Sequence, residues 1–302
     1  MNMESPPSEF EGRLASGKDW REIVAWVGDL PPMPQVAAQA IAMVEDPETT
    51  AQKLTDLLSK DAALAARVLK IANSAMFSRQ REIKTLNQAV MVIGFKALKG
   101  IIVAATLRQL NKRFGKTEKL IWENSMGTAM CATQIARLLK KRYVDEIFLL
   151  GLLHSLGQIV FLAQNETSKD YKLVLDKIKS DGVDYATAEQ EVFGFAHPLI
   201  GALVAKKWNF SPETCQVILH YRDPLEGAAP TNEQEEKTAI VRLADAIAHS
   251  AGIGSPEGYG EQDGEIKKCL AYLQAEGNTE ELLEKLVTET REQFENEGSI
   301  YS

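Results

Sequence analysis

The chain has 302 residues, of which 45% are hydrophobic and 25% charged, with 20 Gly and 11 Pro. This ordinary globular usage excludes collagen-like, mucin-like and wholly disordered chains. At roughly 100 to 200 residues per domain the length supports about two lobes, large enough to bury a core without disulfides or metals as staples. The net charge of −8 hides an asymmetry: 3 basic against 9 acidic residues over 1–50, 18 against 5 over 51–142, and 13 against 28 over 143–302. The basic middle block either offers a face to an anionic partner or packs on the acidic remainder.

Cys131, Cys215 and Cys269 are far apart, odd in number and in no C-x-x-C pair, which argues against a disulfide framework or a thiolate zinc site and fits a reducing compartment. The acidic start MNMESPPSEFEGR lacks an apolar signal core, and no run approaches the roughly 20 uninterrupted apolar residues of a membrane span. A soluble cytoplasmic protein is expected, without a membrane partner.

Helical spacing recurs along the chain. Trp20, Ile23, Val24 and Val27 form an i, i+3, i+4, i+7 stripe that ends at Gly28 and the proline-rich Leu30-Pro31-Pro32-Met33-Pro34. Val36, Ala40, Ile41 and Val44 follow, stopped at Asp46-Pro47. Thr49 with Gln52 reads as a capping box before Leu54, Leu57 and Leu58, and Asp61 as the N-cap for Leu64, Val68, Leu69 and Ala72. Thr85 with Gln88 repeats the capping-box pattern, Gly94 breaks the run, and another helix covers Leu98 to Leu110. The polar, basic segment 111–119 marks a lobe boundary. Further helices are predicted at 120–141, 145–163, 168–180, 184–192, 197–208, 212–221, 237–251, 261–275 and 279–295, with a loop over 222–236. No run alternates as a strand would, so the class is all-α.

Any metal or acid/base chemistry must draw on four histidines, His154, His197, His220 and His249. His154 lies in the apolar Gly151-Leu152-Leu153-His154-Ser155-Leu156-Gly157, where its ring needs a hydrogen-bond partner or a metal. His197 opens a helix before Pro198 and His220 closes the next. Asp245 in Leu243-Ala244-Asp245-Ala246 is a carboxylate on an apolar face, costly unless paired. The alternative for each is a core residue satisfied by backbone. Gly252-Ile253-Gly254 and Gly258-Tyr259-Gly260 do not form a phosphate loop, because no strand precedes them and no Gly-Lys-Ser/Thr follows. Cys131 and Cys215 read as small core residues.

Several segments carry a resemblance. Leu30-Pro31-Pro32-Met33-Pro34, the run Asp61 to Ala75 containing Ile71-Ala72-Asn73-Ser74-Ala75, and Ala89-Val90-Met91-Val92-Ile93-Gly94 are similar to the HDOD domain family. So is the later pattern of Glu191 to Gly194, His197, Gly201, Trp208 and His220, and the likeness runs over roughly 30 to 250.

The resemblance implies a multi-helical, two-lobe HD-like fold: a tail over 1–19, an N-terminal lobe over 20–116, an HD-like lobe over 117–253 and a helical extension over 254–302. It also implies a bacterial signalling or regulatory role. Active HD phosphohydrolases hold metal with a His, a His-Asp doublet and a distant Asp. Those positions map here onto Asn124, His154-Ser155 and Asp245, so two of the four ligands are replaced by an amide and a hydroxyl, and Tyr221 follows His220 where many HDOD sequences carry a second His. An amide and a hydroxyl are weak ligands, and a catalytic site usually needs three protein ligands.

The expectation is therefore a non-catalytic module without a cofactor, acting through contacts with signalling proteins. Its remnant pocket is lined by Asn124, His154, Ser155, His197, His220 and Asp245. Two alternatives stand beside it: a phosphohydrolase with a divalent metal on His154, His197, His220 and Asp245, and a sensor whose pocket binds a nucleotide or small phosphorylated ligand. Arg79, Arg81 and Lys84 are candidate contacts for an acidic partner. Specific nucleic-acid binding is not expected, since the helix beginning Lys96-Ala97-Leu98-Lys99-Gly100 has almost no side chains able to read base edges.

Overall fold

The computed structural model describes residues 8–16, 18–28, 33–74, 82–110, 115–275 and 279–301, and every regular element among them is helical. A short turn at Ser8–Phe10 precedes α1 (Trp20–Gly28), α2 (Gln35–Glu45), α3 (Ala51–Leu58), α4 (Ala62–Ala72), α5 (Leu86–Ile93) and α6 (Phe95–Leu110). The local signals act as read in most places. Trp20, Ile23 and Val27 bury the stripe of α1, the Asp61 carboxylate accepts from Leu64 N–H at 2.9 Å, and Thr85 with Gln88 forms a reciprocal capping box. At α3 the cap is one residue later than predicted: Thr50 accepts from Lys53 N–H, and Gln52 instead donates to Asp56. In the Ile71-Ala72-Asn73-Ser74 segment, Asn73 donates to the Leu69 and Ile83 carbonyls and accepts from Ile83 N–H, so one side chain fixes where the chain returns after α4.

The second half comprises α7 (Lys116–Leu138), α8 (Val144–Leu153), α9 (Leu156–Ala163), α10 (Asn165–Asp181), α11 (Tyr185–Phe193), α12 (His197–Lys207), α13 (Pro212–His220), α14 (Glu233–Ser250), α15 (Asp263–Tyr272) and α16 (Thr279–Tyr301). The helix predicted over 145–163 is two helices, broken at His154-Ser155, where His154 Nδ1 turns back to the Gly151 carbonyl at 2.6 Å. Val144–Ala163 is apolar and long enough to cross a membrane, and 89% of it is buried inside the fold. The predicted 222–236 loop is shorter, because Asn232 caps α14 by accepting from Glu235 N–H at 2.9 Å.

α7 packs along α8 and α14, while α12 lies between α9 and α13. α6 rests on α8 and joins the halves, so one apolar core runs from Trp20 and Leu54 through Ile101 and Phe148 to Leu219. A second cluster forms where the C-terminal half of α7 meets α14, α15 and α16. The extension after residue 254 is built into the body: α16 packs on α7 and α14, reaches α4, and buries Leu286 and Thr290. α9 approaches the start of α12 so closely that a Cβ on Gly157 would stand 2.1 Å from the His197 carbonyl oxygen.

Candidate functional site

His154, Asn124, Asp245 and His249 come together where α7, the α8–α9 break and α14 meet, and all four are buried. Asn124 Nδ2 donates to Asp245 Oδ1 at 3.0 Å and to His249 Nε2 at 3.1 Å, while its Oδ1 faces His154 Nε2 at 2.9 Å. Turning the amide over would set oxygen against the carboxylate, so this orientation is fixed by its neighbours. His154 then meets acceptors at both nitrogens, Gly151 O and Asn124 Oδ1, and also lies 3.2 Å from Asp245 Oδ1.

The other oxygen of Asp245 accepts from Arg222 Nη1 at 3.1 Å, and the second arm of that guanidinium pairs with Asp184, the cap of α11. Burial alone would raise the Asp245 carboxyl. The positive field of His249, protonated by the pH at which the carboxyl would titrate, the hydrogen bond and charge of His154, and Arg222 outweigh burial and hold it well below the carboxylate range. Burial also dominates at His249 and pushes its imidazole down to about 4, so the ring is neutral near pH 7. This agrees with its bonds: Nε2 accepts from Asn124, Nδ1 donates to Ser255 at 3.0 Å, and Ser255 donates to the His249 carbonyl at 2.9 Å.

His197 forms a neighbouring layer. Its Nδ1 and its backbone N–H both donate to Glu189 Oε2, at 2.6 and 2.7 Å, and its Nε2 meets the Tyr221 hydroxyl. Tyr171 donates to the other Glu189 oxygen at 2.6 Å, so this buried carboxylate is fully engaged. Tyr221 sets its ring edge-on to His154 at 5.1 Å and thereby links the two histidines. Ser155 points away from Asp245, toward the Ser125 hydroxyl, which in turn donates to the Ile121 carbonyl.

His220 is outside this cluster. It is over a third exposed and contacts Asp223 and Arg13 on the surface. Asn124, His154 and Asp245 therefore touch directly, His197 joins through Tyr221, and Ser155 and His220 face elsewhere.

A cavity of about 10 Å³ lies among Asn124, Gln158, Tyr185, Tyr221, Arg222 and Tyr259, roughly the space of a single water molecule. The loop after α14 closes over it. Tyr259 stacks on His249 at 4.1 Å, and Gly254, at φ +65°, sits where a Cβ would be 2.5 Å from the Asn124 backbone nitrogen. Gly254 thus lets a backbone close down on Asn124, while Gly258 and Gly260, on either side of Tyr259, bring the same loop against the backbone of Lys179 and Gly182.

The donor set does not fit a divalent cation. Asp245 is engaged by the Arg222 guanidinium and lies against His154, while Asn124 and Ser155 bring no charge. Among the described residues, no group of three His, Cys, Asp or Glu side chains could hold a metal ion. The thiols add no ligand: burial pushes Cys131 and Cys269 up to about 12.

Reading residues alone missed Arg222, Asp184, Glu189 and His249 as members of the cluster. His249 was accessible in principle, four residues after Asp245 and so on the same face of a helix. Of the basic surface candidates, Arg79 and Arg81 lie outside the described residues, and Lys84 is exposed and paired with Glu82 at 3.5 Å. In the same block Lys96 pairs with Glu146 at 3.4 Å and Lys99 with Glu45.

Fold and cluster together define an all-helical protein, with Asn124, His154, Ser155 and Asp245 at the four positions where the resemblance places metal ligands. The HDOD domain pattern matches residues 30–224, and the chain belongs to the HDOD family. An HDOD domain protein of unknown function from Geobacter sulfurreducens is similar at 23% identity and a TM-score of 0.70, over 92% of this chain and 99% of that one. A candidate phosphohydrolase from Shewanella amazonensis SB2B is similar at 23% identity and a TM-score of 0.68, over 93% and 98% of the two chains. At these identities the likeness is one of fold. An uncharacterised protein of Treponema pallidum is 22% identical over 221 residues, 72% of this chain and 42% of that protein, so the chain spans less than half the length of that relative.

Proposed function

We propose that this HDOD protein is a regulatory module in bacterial signal transduction that hydrolyses no phosphodiester and acts through contacts with other proteins. The observation that carries the reading is the Arg222 guanidinium on Asp245. An HD hydrolase needs that carboxylate for a metal that activates water and clamps phosphate oxygens. Here it is committed to the Arg222 guanidinium, which a metal would have to displace. The cavity of about 10 Å³ favours contact-mediated output over nucleotide sensing, since small-molecule sites run to about 300 Å³ and above.

The test is turnover of bis-p-nitrophenyl phosphate and a panel of cyclic nucleotides with Mn²⁺, Mg²⁺ or Zn²⁺ by purified protein. No release above buffer is expected, with the same result for His154→Ala. Turnover that His154→Ala abolishes would overturn the reading.

A further inference from the structure

A groove of about 580 Å³ opens between the C-terminal ends of α7 and α15, beside the loop at Ala229-Pro230. Leu138, 44% exposed, Leu139, Leu273 and Leu282 form its apolar walls. Two cations, Lys140 and Lys141, line it. Glu236, the acid in the groove, is taken up by Lys141 and the Tyr143 hydroxyl. Lys140 is exposed and makes no ion pair among the described residues, so its charge is left for something outside the fold.

The backbone adds an independent observation. α7 and α15 each end in a Schellman turn, closed by Lys141 N–H to Ala136 O at 2.8 Å and by Ala275 N–H to Leu270 O at 3.1 Å. The left-handed residue of such a turn is usually glycine, as it is at the ends of α10 and α11, Gly182 and Gly194. At the groove these positions are Lys140, φ +53°, and Gln274, φ +51°, and at the end of α12 the same position is Asn209, φ +64°, a residue type that tolerates this conformation better than Lys or Gln. Both side chains line the groove. A strained backbone that keeps a side chain where glycine would be easier points to a use for that side chain.

We propose that this groove is the docking site for an acidic amphipathic segment of a partner protein, its apolar face on Leu138, Leu139 and Leu282 and its carboxylates on Lys140. The proposal rests on reading the protein as a contact-mediated regulator, and it names the surface that would make the contact. A peptide fits better than a lipid bilayer because the apolar surface is concave.

The probe is a fluorescein-labelled synthetic 18-residue peptide of leucine and glutamate in helical register, with a leucine and lysine peptide as control, followed by polarisation against the full chain. Binding of the glutamate peptide alone is expected, weakening with salt and falling at least tenfold in Lys140→Glu and in Leu138→Glu. Lys140→Gly separates use from stability, because it should raise the melting temperature by relieving the left-handed residue while it weakens binding. Equal binding by all variants would overturn the proposal, as would binding of the lysine peptide. So would sedimentation with phosphatidylserine vesicles in place of peptide binding. Loss of the groove's binding with phosphodiester turnover still absent would remove the groove alone, whereas turnover would remove the regulatory reading itself.

Discussion

Arg222 donates to the buried carboxylate of Asp245 at 3.1 Å, and its other arm reaches Asp184, so one guanidinium ties the loop after α13 to α14 and to the start of α11. The cluster that this guanidinium joins lies where three helices converge in the interior.

Removing that cation leaves two buried or half-buried carboxylates without their partner. Arg222→Met is expected to cost about 3 kcal/mol in urea unfolding, in the range for breaking a buried pair. Adding Asp245→Asn in the same chain should recover a large part of it, since the penalty lies in the stranded charge. A loss below about 1 kcal/mol in the single variant would contradict the staple.

His249 makes stability depend on pH. Its folded pKa, about 4, lies below the ordinary imidazole value of 6.5, so between those values the unfolded chain binds a proton that the folded chain refuses. Stability from this group is full above about pH 6.5 and is lost as pH falls toward 4, about 2 kcal/mol between pH 7 and pH 5. Urea midpoints at the two pH values should differ accordingly in the wild type, and His249→Gln should flatten the difference. An unchanged slope in the variant would assign the effect elsewhere.

Gly157→Ala would drive a methyl group into the His197 carbonyl, 2.1 Å away, at a contact where neither backbone can yield without moving α9 against α12. A loss of about 3 kcal/mol or more, or failure to fold, is expected. An unchanged melting temperature would mean that the helices are farther apart than the structure places them.

Asn73→Ala removes hydrogen bonds to the Leu69 carbonyl and to both backbone groups of Ile83. About 1 to 3 kcal/mol should be lost, because the Ile83 groups are left without a partner. Hydrogen exchange should rise at Ile83 before it rises in α6.

Much of the fold was legible because its helices are short and carry chemical punctuation. Asp61 and the Thr85–Gln88 box each mark a start that the structure uses. Two adjacent threonines, Thr49 and Thr50, made the start of α3 ambiguous by one position, and side-chain direction alone decides between them. The break at His154-Ser155 was hidden because apolar residues continue on both sides, so periodicity has nothing to register.

The candidate site was legible only where helical neighbours or the family pattern supplied positions, as for Asn124, His154 and Asp245. Arg222 looked like a solvated loop residue. Its role depends on α11, α13 and α14 converging, which local spacing does not encode. His220, read as closing its helix and lining the pocket, misled for the opposite reason: the turn there sends it outward and Tyr221 inward.

The central claim is that the Arg222 guanidinium takes up the carboxylate a bound metal would need. Elemental analysis of the untagged protein, after dialysis against equimolar Mn²⁺ and Zn²⁺ and removal of free metal, tests it most directly, with His154→Ala alongside. The account predicts far less than one metal per chain in both proteins. Near-stoichiometric metal in the wild type that disappears in His154→Ala would contradict it.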